Sequence, residues 1–265
     1  MIGAIAGDII GSVYERNPIK TKAFSLYSPG CCFTDDSVLT IAVASAILDG
    51  SGYLPAIQKW GRRYPHAGYG RSFIQWLFAE HAEPYNSWGN GSAMRVSAVG
   101  YGFDNLERVV SEAEKSAAIS HNHPEGLKGA QATATAVFLA RSTGNREVIK
   151  KQIEERFGYD LARTLSDIRP GYRFEISCQA SVPEAIIAFL ESDSYEDAIR
   201  NAISLGGDSD TLACIAGGIA EAFYGGVPES IIEKTHSYLT DDLWKVVCDF
   251  YRKFSLPNSD LIFSL

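Results

Sequence analysis

The stretch IGAIAGDIIG, residues Ile2–Gly11, places Gly3, Gly7 and Gly11 at every fourth position of an otherwise apolar segment. On a helix this spacing puts the three glycines on nearly one face. Each glycine costs a helix roughly 0.5–1 kcal/mol relative to alanine, and close helix packing would justify that cost. A membrane-dimer face has the same spacing, but Asp8 and the shortness of the apolar run argue against a membrane helix. The stretch therefore predicts a tightly packed central helix.

Helical periodicity dominates the rest of the chain, and strand alternation is nearly absent. Apolar residues recur at helical spacing over residues 38–48 and 186–190. Further helices are predicted over 106–119, 124–141, 145–157, 195–204, 211–224 and 228–254, the last one split near 240. Only 172–177 is predicted to be extended. Glycine pairs and prolines mark short connections, with no domain boundary and no repeat, so we predict an all-α fold with one compact multi-helix domain over residues 1–265.

Composition narrows the class of protein. The 265 residues are 46% hydrophobic and 21% charged, as in ordinary globular proteins. The net charge of −8 repels nucleic acid and anionic membranes. Five cysteines without CxxC spacing indicate a reducing compartment, and no apolar run is long enough to span a membrane. We therefore expect a cytoplasmic protein, and the absence of a coiled-coil pattern favours a monomer.

Two acidic clusters stand at predicted helix starts. The first acidic cluster is FTDDS, residues 33–37, and the second acidic cluster is GGDSDT, residues 206–211. Helix capping is one interpretation, because Asp and Thr accept hydrogen bonds from first-turn amides and negative charge suits a helix N-terminus. One capping side chain per helix suffices, however, and each cluster carries two carboxylates and a hydroxyl before an apolar helix. Burying so many carboxylates is costly unless cations neutralise them.

Metal binding is the second interpretation of these clusters. Carboxylate and hydroxyl oxygens without neighbouring Cys–His pairs select Mg2+, Mn2+ or Ca2+ rather than Zn2+. If the two helix starts converge, their four aspartates and two threonines could hold two ions about 3.5–4 Å apart. Spacing in the sequence alone does not establish the convergence.

Four motifs occur in one order along the chain: GDIIGSVYE at 7–15, TDDS at 34–37, GNGSAMR at 89–95 and GDSDT at 207–211. The ordered set resembles the ADP-ribosylglycohydrolase family, typified by the dinitrogenase reductase-activating glycohydrolase. The resemblance implies an all-α fold and a centre of two divalent cations, Mg2+ or Mn2+. The metal ligands that it implies are Glu15, Thr34, Asp35, Asp36, Asp208, Asp210 and Thr211. Asp8 also matches the pattern, and we favour a buried structural carboxylate over a ligand there.

The segment from Ser87 to Ser92 offers backbone amides in a glycine-permissive turn, a suitable place for a pyrophosphate. Turn chemistry alone explains its Asn-Gly pair equally well. The resemblance implies that this segment lines an ADP-ribose pocket, with Trp88 near the ligand and His121 on the adenosine side. The substrate-binding candidates are Ser87, Trp88, Gly89, Asn90, Gly91, Ser92, Met94 and His121. Arg95 either lies near the ligand or pairs with a structural carboxylate, and His123 is interpreted as structural.

The resemblance implies hydrolysis of an N- or O-glycosidic bond at C1'' of an ADP-ribosyl group. The partner would be an ADP-ribosylated protein or a small-molecule ADP-ribose derivative, with arginine, serine, an acetyl ester or a base at the other side of the bond. Glu15, Asp35 and Asp36 are the candidates for proton transfer, and residues 16–33 are expected to form a lid. A non-catalytic ADP-ribose-binding or crystallin-like relative and a hydrolase of free nucleotides are the alternatives. The complete ligand set favours an enzyme over the non-catalytic relative.

Overall fold

The computed structural model describes residues 1–265 and consists of α-helices and two short 3-10 helices, Asn90–Ser92 and Met94–Val96. The predicted all-α fold is confirmed. One isolated bridge between Gly89 and Ser177 is the only β-type pairing, and it lies at the end of the segment predicted to be extended. The helices are α1 (Ile2–Gly11), α2 (Asp35–Asp49), α3 (Tyr53–Arg63), α4 (Arg71–Phe78), α5 (Ser97–Gly102), α6 (Leu106–Ala118), α7 (Pro124–Thr143), α8 (Arg146–Phe157), α9 (Leu165–Ile168), α10 (Cys178–Leu190), α11 (Tyr195–Ile203), α12 (Ser209–Tyr224), α13 (Glu229–His236), α14 (Asp241–Phe254) and α15 (Ser259–Ser264).

The helix predictions hold best where polar caps frame an apolar pattern. Asn105 and Asn145 cap α6 and α8 through their side chains, and both helices begin within one residue of the predicted start. The predicted split near 240 falls between α13 and α14. In contrast, α10 begins at Cys178, eight residues before the recognised pattern, because its first turns contain small and polar residues and Pro183. Helices α3, α4, α9 and α15 were not predicted.

Helix α1 is buried along its whole length at the centre of a single hydrophobic core of 70 residues. It packs closely along α12, and the three glycines make this approach possible. A Cβ on Gly3 would lie 2.6 Å from the carbonyl oxygen of Gly217, and a Cβ on Gly11 would lie 2.6 Å from Cα of Asp210. A Cβ on Gly7 would collide with the carbonyl oxygen of Ala213. The predicted reason for the glycine spacing, close helix packing, is therefore observed.

The connection between α1 and α2, residues 12–34, has no regular secondary structure but is tied to the helices around it. The guanidinium of Arg200 on α11 donates hydrogen bonds to the carbonyl oxygens of Lys22 (2.9 Å) and Phe24 (2.7 Å). The hydroxyl of Tyr27 donates to the carbonyl oxygen of Ile231 on α13 at 3.1 Å. The expected lid is thus fastened at several points along its length.

Two expectations from composition can be compared with the structure. All five cysteines are free thiols. No helix combines the length and the apolar character that crossing a bilayer requires.

Replacing Gly7 with alanine tests the glycine contact. We expect Gly7→Ala to lower the free energy of unfolding by about 3 kcal/mol or more, because the new methyl group meets backbone atoms of α12 that no side-chain rotation can move. Gly70→Ala is the matched control, since Gly70 is exposed, has a negative φ and has open space around its Cβ position. Chemical denaturation of both variants measures the difference. Equal stability of the two would contradict the packing described for α1 and α12.

Candidate metal centre

Asp8 on α1 holds the start of α2. Its carboxylate accepts hydrogen bonds from the backbone N–H of Thr34 (2.9 Å) and Ser37 (3.0 Å), from the hydroxyl of Thr34 (2.6 Å) and from the hydroxyl of Ser37. These bonds engage donors of the first turn of α2 that have no partner within the helix. The contacts are those of the structural carboxylate favoured from the sequence.

Asp8 also belongs to a buried acidic group. One carboxylate oxygen from each of Asp8, Asp36 and Asp210 lies within 4.8 Å of the others. The two acidic clusters therefore converge, and α1 adds a third carboxylate that our ligand set left out. The sequence signal for Asp8 was a lone charge within an apolar helix.

The threonines of the two clusters lie beside Asp36. The hydroxyl of Thr34 accepts a hydrogen bond from the backbone N–H of Asp36 at 3.3 Å and so caps α2. The hydroxyl of Thr211 donates to Oδ2 of Asp36 at 3.4 Å. Capping therefore accounts for Thr34 in the first acidic cluster, and both threonines contact a carboxylate of the group.

Capping does not account for Asp208 in the second acidic cluster. Asp208 occupies the N-cap position of α12, yet its side chain accepts no hydrogen bond from the helix amides. Its Oδ2 instead accepts from the side-chain amide of Asn90 at 2.7 Å. Asn90 thereby connects the predicted substrate segment with the acidic clusters.

The charges of the buried carboxylates are not neutralised by the protein. Burial, reinforced by neighbouring carboxylates, raises the pKa of Asp36 and of Asp210 well above the ordinary range, and burial raises the pKa of Asp8 to about 6. No lysine or arginine forms an ion pair with any of them. Oδ1 of Asp36 is fully enclosed and has no hydrogen-bond partner. An enclosed, unpartnered carboxylate oxygen among other carboxylates fits a hard divalent cation.

Glu15 and Asp35 are the more open acidic residues. Glu15 lies in the turn that follows α1, half-buried, and lines a cleft of about 500 Å3 together with Lys20, Tyr172 and Arg173. Burial and the charge of Asp208 raise the pKa of Glu15. Asp35 begins α2 and is partly exposed, and burial followed by the charges of neighbouring carboxylates raises its pKa.

The predicted substrate segment is held against the start of α10. The backbone N–H of Asn90 donates to the carbonyl oxygen of Ile176 at 2.7 Å, and that of Cys178 donates to the carbonyl oxygen of Trp88 at 2.9 Å. The hydroxyl of Ser92 donates to the carbonyl oxygen of Gly126 at 2.7 Å. Trp88 is 52% exposed, so its ring is free to contact a ligand.

Other predicted residues differ in accessibility. Ser87 accepts a hydrogen bond from the N–H of Gly89, and the buried His121 ring lies beside Gly91. Met94 is buried in the hydrophobic core. His123 caps α7 by accepting from the N–H of Glu125 at 3.1 Å, in agreement with its structural interpretation.

The surroundings of Arg95 contradict one of the two roles that the sequence suggested for it. Pairing with a structural carboxylate is wrong, because Arg95 is fully buried and forms no ion pair. The cleft residues Lys20, Tyr172 and Arg173 were also missed, since nothing in the sequence connects residue 20 with residues 172–173.

The chain is similar over almost its whole length to one family of known proteins. The family model described as ADP-ribosylglycohydrolase matches residues 1–259. The chain belongs to the ADP-ribosylglycohydrolase family. Membership makes it an enzyme that hydrolyses N- or O-glycosyl bonds.

Relatives in this family carry two different names. ADP-ribosylhydrolase ARH3 from Bos taurus is 26% identical, with 92% of this chain and 89% of the relative covered. ADP-ribosylarginine hydrolase Tri1 from Pseudomonas putida is 23% identical, with 88% and 72% covered. A solved structure titled ADP-ribosylglycohydrolase-related protein complex aligns with a TM-score of 0.72 at 22% identity over 95% of each chain, which shows the shared fold.

The raised pKa values predict how stability depends on pH in the metal-free protein. These carboxylates bind protons more tightly in the folded chain than in the unfolded chain, so their contribution is present at low pH and is lost as pH rises through the folded-state pKa values. In EDTA we expect the melting temperature to fall by roughly 4 °C or more between pH 5 and pH 8.

Calorimetry with and without Mg2+ or Mn2+ measures this fall. A bound cation replaces the protons, so either metal should reduce the decrease in melting temperature between pH 5 and pH 8. Asp36→Asn should make the melting temperature of the metal-free protein depend less on pH. A melting temperature that rises from pH 5 to pH 8 in EDTA would contradict the description of the buried acidic group.

Proposed function

We propose that this enzyme cleaves the C1'' glycosidic bond of an ADP-ribosylated protein side chain or small molecule and releases ADP-ribose, with two divalent cations, Mg2+ or Mn2+, as cofactors. The observation that carries the proposal is the convergence of Asp8, Asp36 and Asp210 without a protein cation to neutralise them. Buried carboxylates in this state are costly unless they serve a bound ion.

The residues proposed to hold the cations come from three parts of the chain. They are Thr34, Asp35 and Asp36 of the first acidic cluster, Asp208, Asp210 and Thr211 of the second, and Glu15 from the turn after α1. Bound cations supply positive charge that polarises oxygen atoms of substrate and water. Asp8 orients the first cluster through its bonds to Thr34 and Ser37.

Glu15 is our candidate for proton transfer because it lines the cleft while Asp36 and Asp210 are buried. Burial raises the pKa of Glu15, so it binds a proton more readily than an exposed glutamate does, which suits proton transfer. In the proposed reaction, water oxygen bonds to C1'' as the bond from C1'' to the leaving nitrogen or oxygen breaks. Glu15 takes a proton from the water and delivers it to the leaving atom, and Asp35 is the second candidate for this role.

The cleft beside Glu15 favours a neutral leaving group. Lys20 and Arg173 line it, and Glu15 is the only carboxylate among its lining residues. Arg173 and Arg169 place positive charge beside Lys20 at this wall, and burial, followed by these two charges, lowers the pKa of Lys20. A guanidinium leaving group would be repelled there, whereas a serine hydroxyl or an acetyl ester would not. We therefore propose an O-linked rather than an arginine-linked substrate.

The metal-dependent reaction is tested by release of ADP-ribose from serine-, arginine- and acetyl-linked substrates with Mg2+, with Mn2+ and with EDTA. We expect release only with metal, and Asp210→Asn should reduce turnover more than about 100-fold because a ligand is lost. Asp260→Asn, at an exposed position on α15, is the matched control and should leave turnover unchanged. Full activity of Asp210→Asn in EDTA would contradict the metal assignment. Binding of ADP-ribose without turnover on any substrate would favour the non-catalytic alternative.

The leaving-group preference is tested by charge reversal in the cleft. We expect the wild-type protein to have a higher kcat/KM for serine-linked than for arginine-linked peptides, and Arg173→Glu to reduce that ratio at least about threefold by removing repulsion. Lys151→Glu on α8 makes the same change of net charge at an exposed site and serves as the control. An unchanged ratio in Arg173→Glu would show that this wall does not select the leaving group.

A further inference from the structure

Arg95 is a buried cation that lacks a counter-ion. Its side chain is 0% exposed, and its Nε and Nη1 atoms have no hydrogen-bond partner. Nη2 donates to the carbonyl oxygen of Ser116 and to the hydroxyl oxygen of Ser120 at 3.2 Å. Burying an arginine without a carboxylate partner is unfavourable. We therefore ask what function the hydrogen bond from Arg95 to Ser120 serves.

Ser120 joins Arg95 to the imidazole of His121. Its hydroxyl oxygen lies 2.8 Å from Nδ1 of His121 as well as 3.2 Å from Nη2 of Arg95. A guanidinium only donates, so the Ser120 oxygen accepts from Arg95. Ser120 is fully buried, and Nδ1 is the only acceptor available to its hydroxyl hydrogen. The hydroxyl therefore donates to Nδ1, which leaves the ring proton on Nε2.

The surroundings keep the ring neutral. Burial, followed by the positive charge of Arg95, lowers the pKa of His121 well below its ordinary value. A protonated ring would also place a hydrogen on Nδ1 against the Ser120 hydroxyl, which would then have no acceptor. Both the charge and the hydrogen-bond pattern select one neutral tautomer.

Nε2 of His121 faces the glycine turn of the substrate segment. A Cβ on Gly91 would lie 3.1 Å from Nε2, and a Cβ on Gly89 would lie 3.7 Å from it. Nε2 makes no hydrogen bond to any protein group, in contrast to Nδ1. The atom is thus available at a place where only glycines leave room.

We propose that Arg95 and Ser120 act as positioning residues that fix His121 as the Nε2–H tautomer, so that it donates a hydrogen bond to an acceptor atom of the bound ADP-ribosyl group. The identity of this ligand rests on the proposed function, whereas the tautomer does not. The acceptor is a phosphoryl, hydroxyl or ring-nitrogen atom, because a donor group at this position would meet the Nε2 hydrogen.

Nitrogen-15 NMR of the histidine-labelled full chain, free of ligand, tests the tautomer directly. His121→Asn assigns the His121 signals among the five histidines. At neutral pH we expect a pyrrole-type signal for Nε2 and a pyridine-type signal for Nδ1. A pyrrole-type Nδ1, or two pyrrole-type signals from an imidazolium, would overturn the proposal.

Ser120→Ala and Ser116→Ala form a matched pair that tests the relay, the hydrogen bonds from Arg95 to Ser120 and from Ser120 to His121. Both serines are fully buried, but the Ser116 hydroxyl has no hydrogen-bond partner and is not in the relay. We expect Ser120→Ala to move both ring-nitrogen signals toward averaged values as the two tautomers exchange, and Ser116→Ala to leave them unchanged. Unaltered signals in a folded Ser120→Ala protein would overturn the role of Ser120, and if that variant does not fold, the wild-type spectrum decides.

Titration with ADP-ribose tests the link to the ligand. Ser120→Ala should weaken ADP-ribose binding about three- to tenfold and raise KM with kcat unchanged, because part of the population presents the wrong tautomer. Ser116→Ala should bind as the wild type does. Failure of the wild-type protein to bind ADP-ribose would contradict the proposed function, while the NMR result would still decide the tautomer.

Discussion

The centre of this protein depends on the hydrogen bonds that the carboxylate of Asp8 accepts from the start of α2. Asp8 lies on α1, whose glycines allow close contact with α12, and it binds the first turn of α2 through Thr34 and Ser37. Helix α1 thereby brings the starts of α2 and α12 together. Because a buried charge is tolerated only with many donors, the backbone around Asp8 has little freedom to rearrange.

The acidic residues divide into an enclosed set and an open set. Asp36 and Asp210 are buried among other oxygen atoms, while Glu15 at the cleft and Asp35 at the start of α2 are partly exposed. Enclosure suits the holding of an ion, since it excludes water from competing for the carboxylate oxygens. Access to solvent suits proton transfer, which requires contact with substrate and water. The same residue type therefore serves two purposes according to its depth.

The sequence was informative where local chemistry decides the structure. Periodicity predicted α6 and α8 closely, and the acidic clusters were recognised at the starts of α2 and α12. It was uninformative where distant segments meet. The sequence favoured a structural role for Asp8 but did not predict that its carboxylate lies beside those of Asp36 and Asp210. The absence of a carboxylate beside Arg95 results from the packing of distant segments, which no local sequence pattern predicts. The start of α10 was missed because small and polar residues conceal its buried face.

Asn90 belongs to two parts of the site at once. It lies in the segment proposed to hold ADP-ribose. Its side-chain amide donates a hydrogen bond to Asp208, and its backbone N–H donates to the carbonyl oxygen of Ile176. Any ion that orders Asp208 therefore also restrains the nucleotide-binding turn, and any nucleotide that orders the turn restrains Asp208. If cation and nucleotide both bind as proposed and each orders Asn90, thermodynamic linkage makes the effect reciprocal, and each would raise the other's affinity by the same factor. In a cell, the resting enzyme would then hold its metal less tightly than the working one, and the supply of substrate would itself help to keep the metal in place.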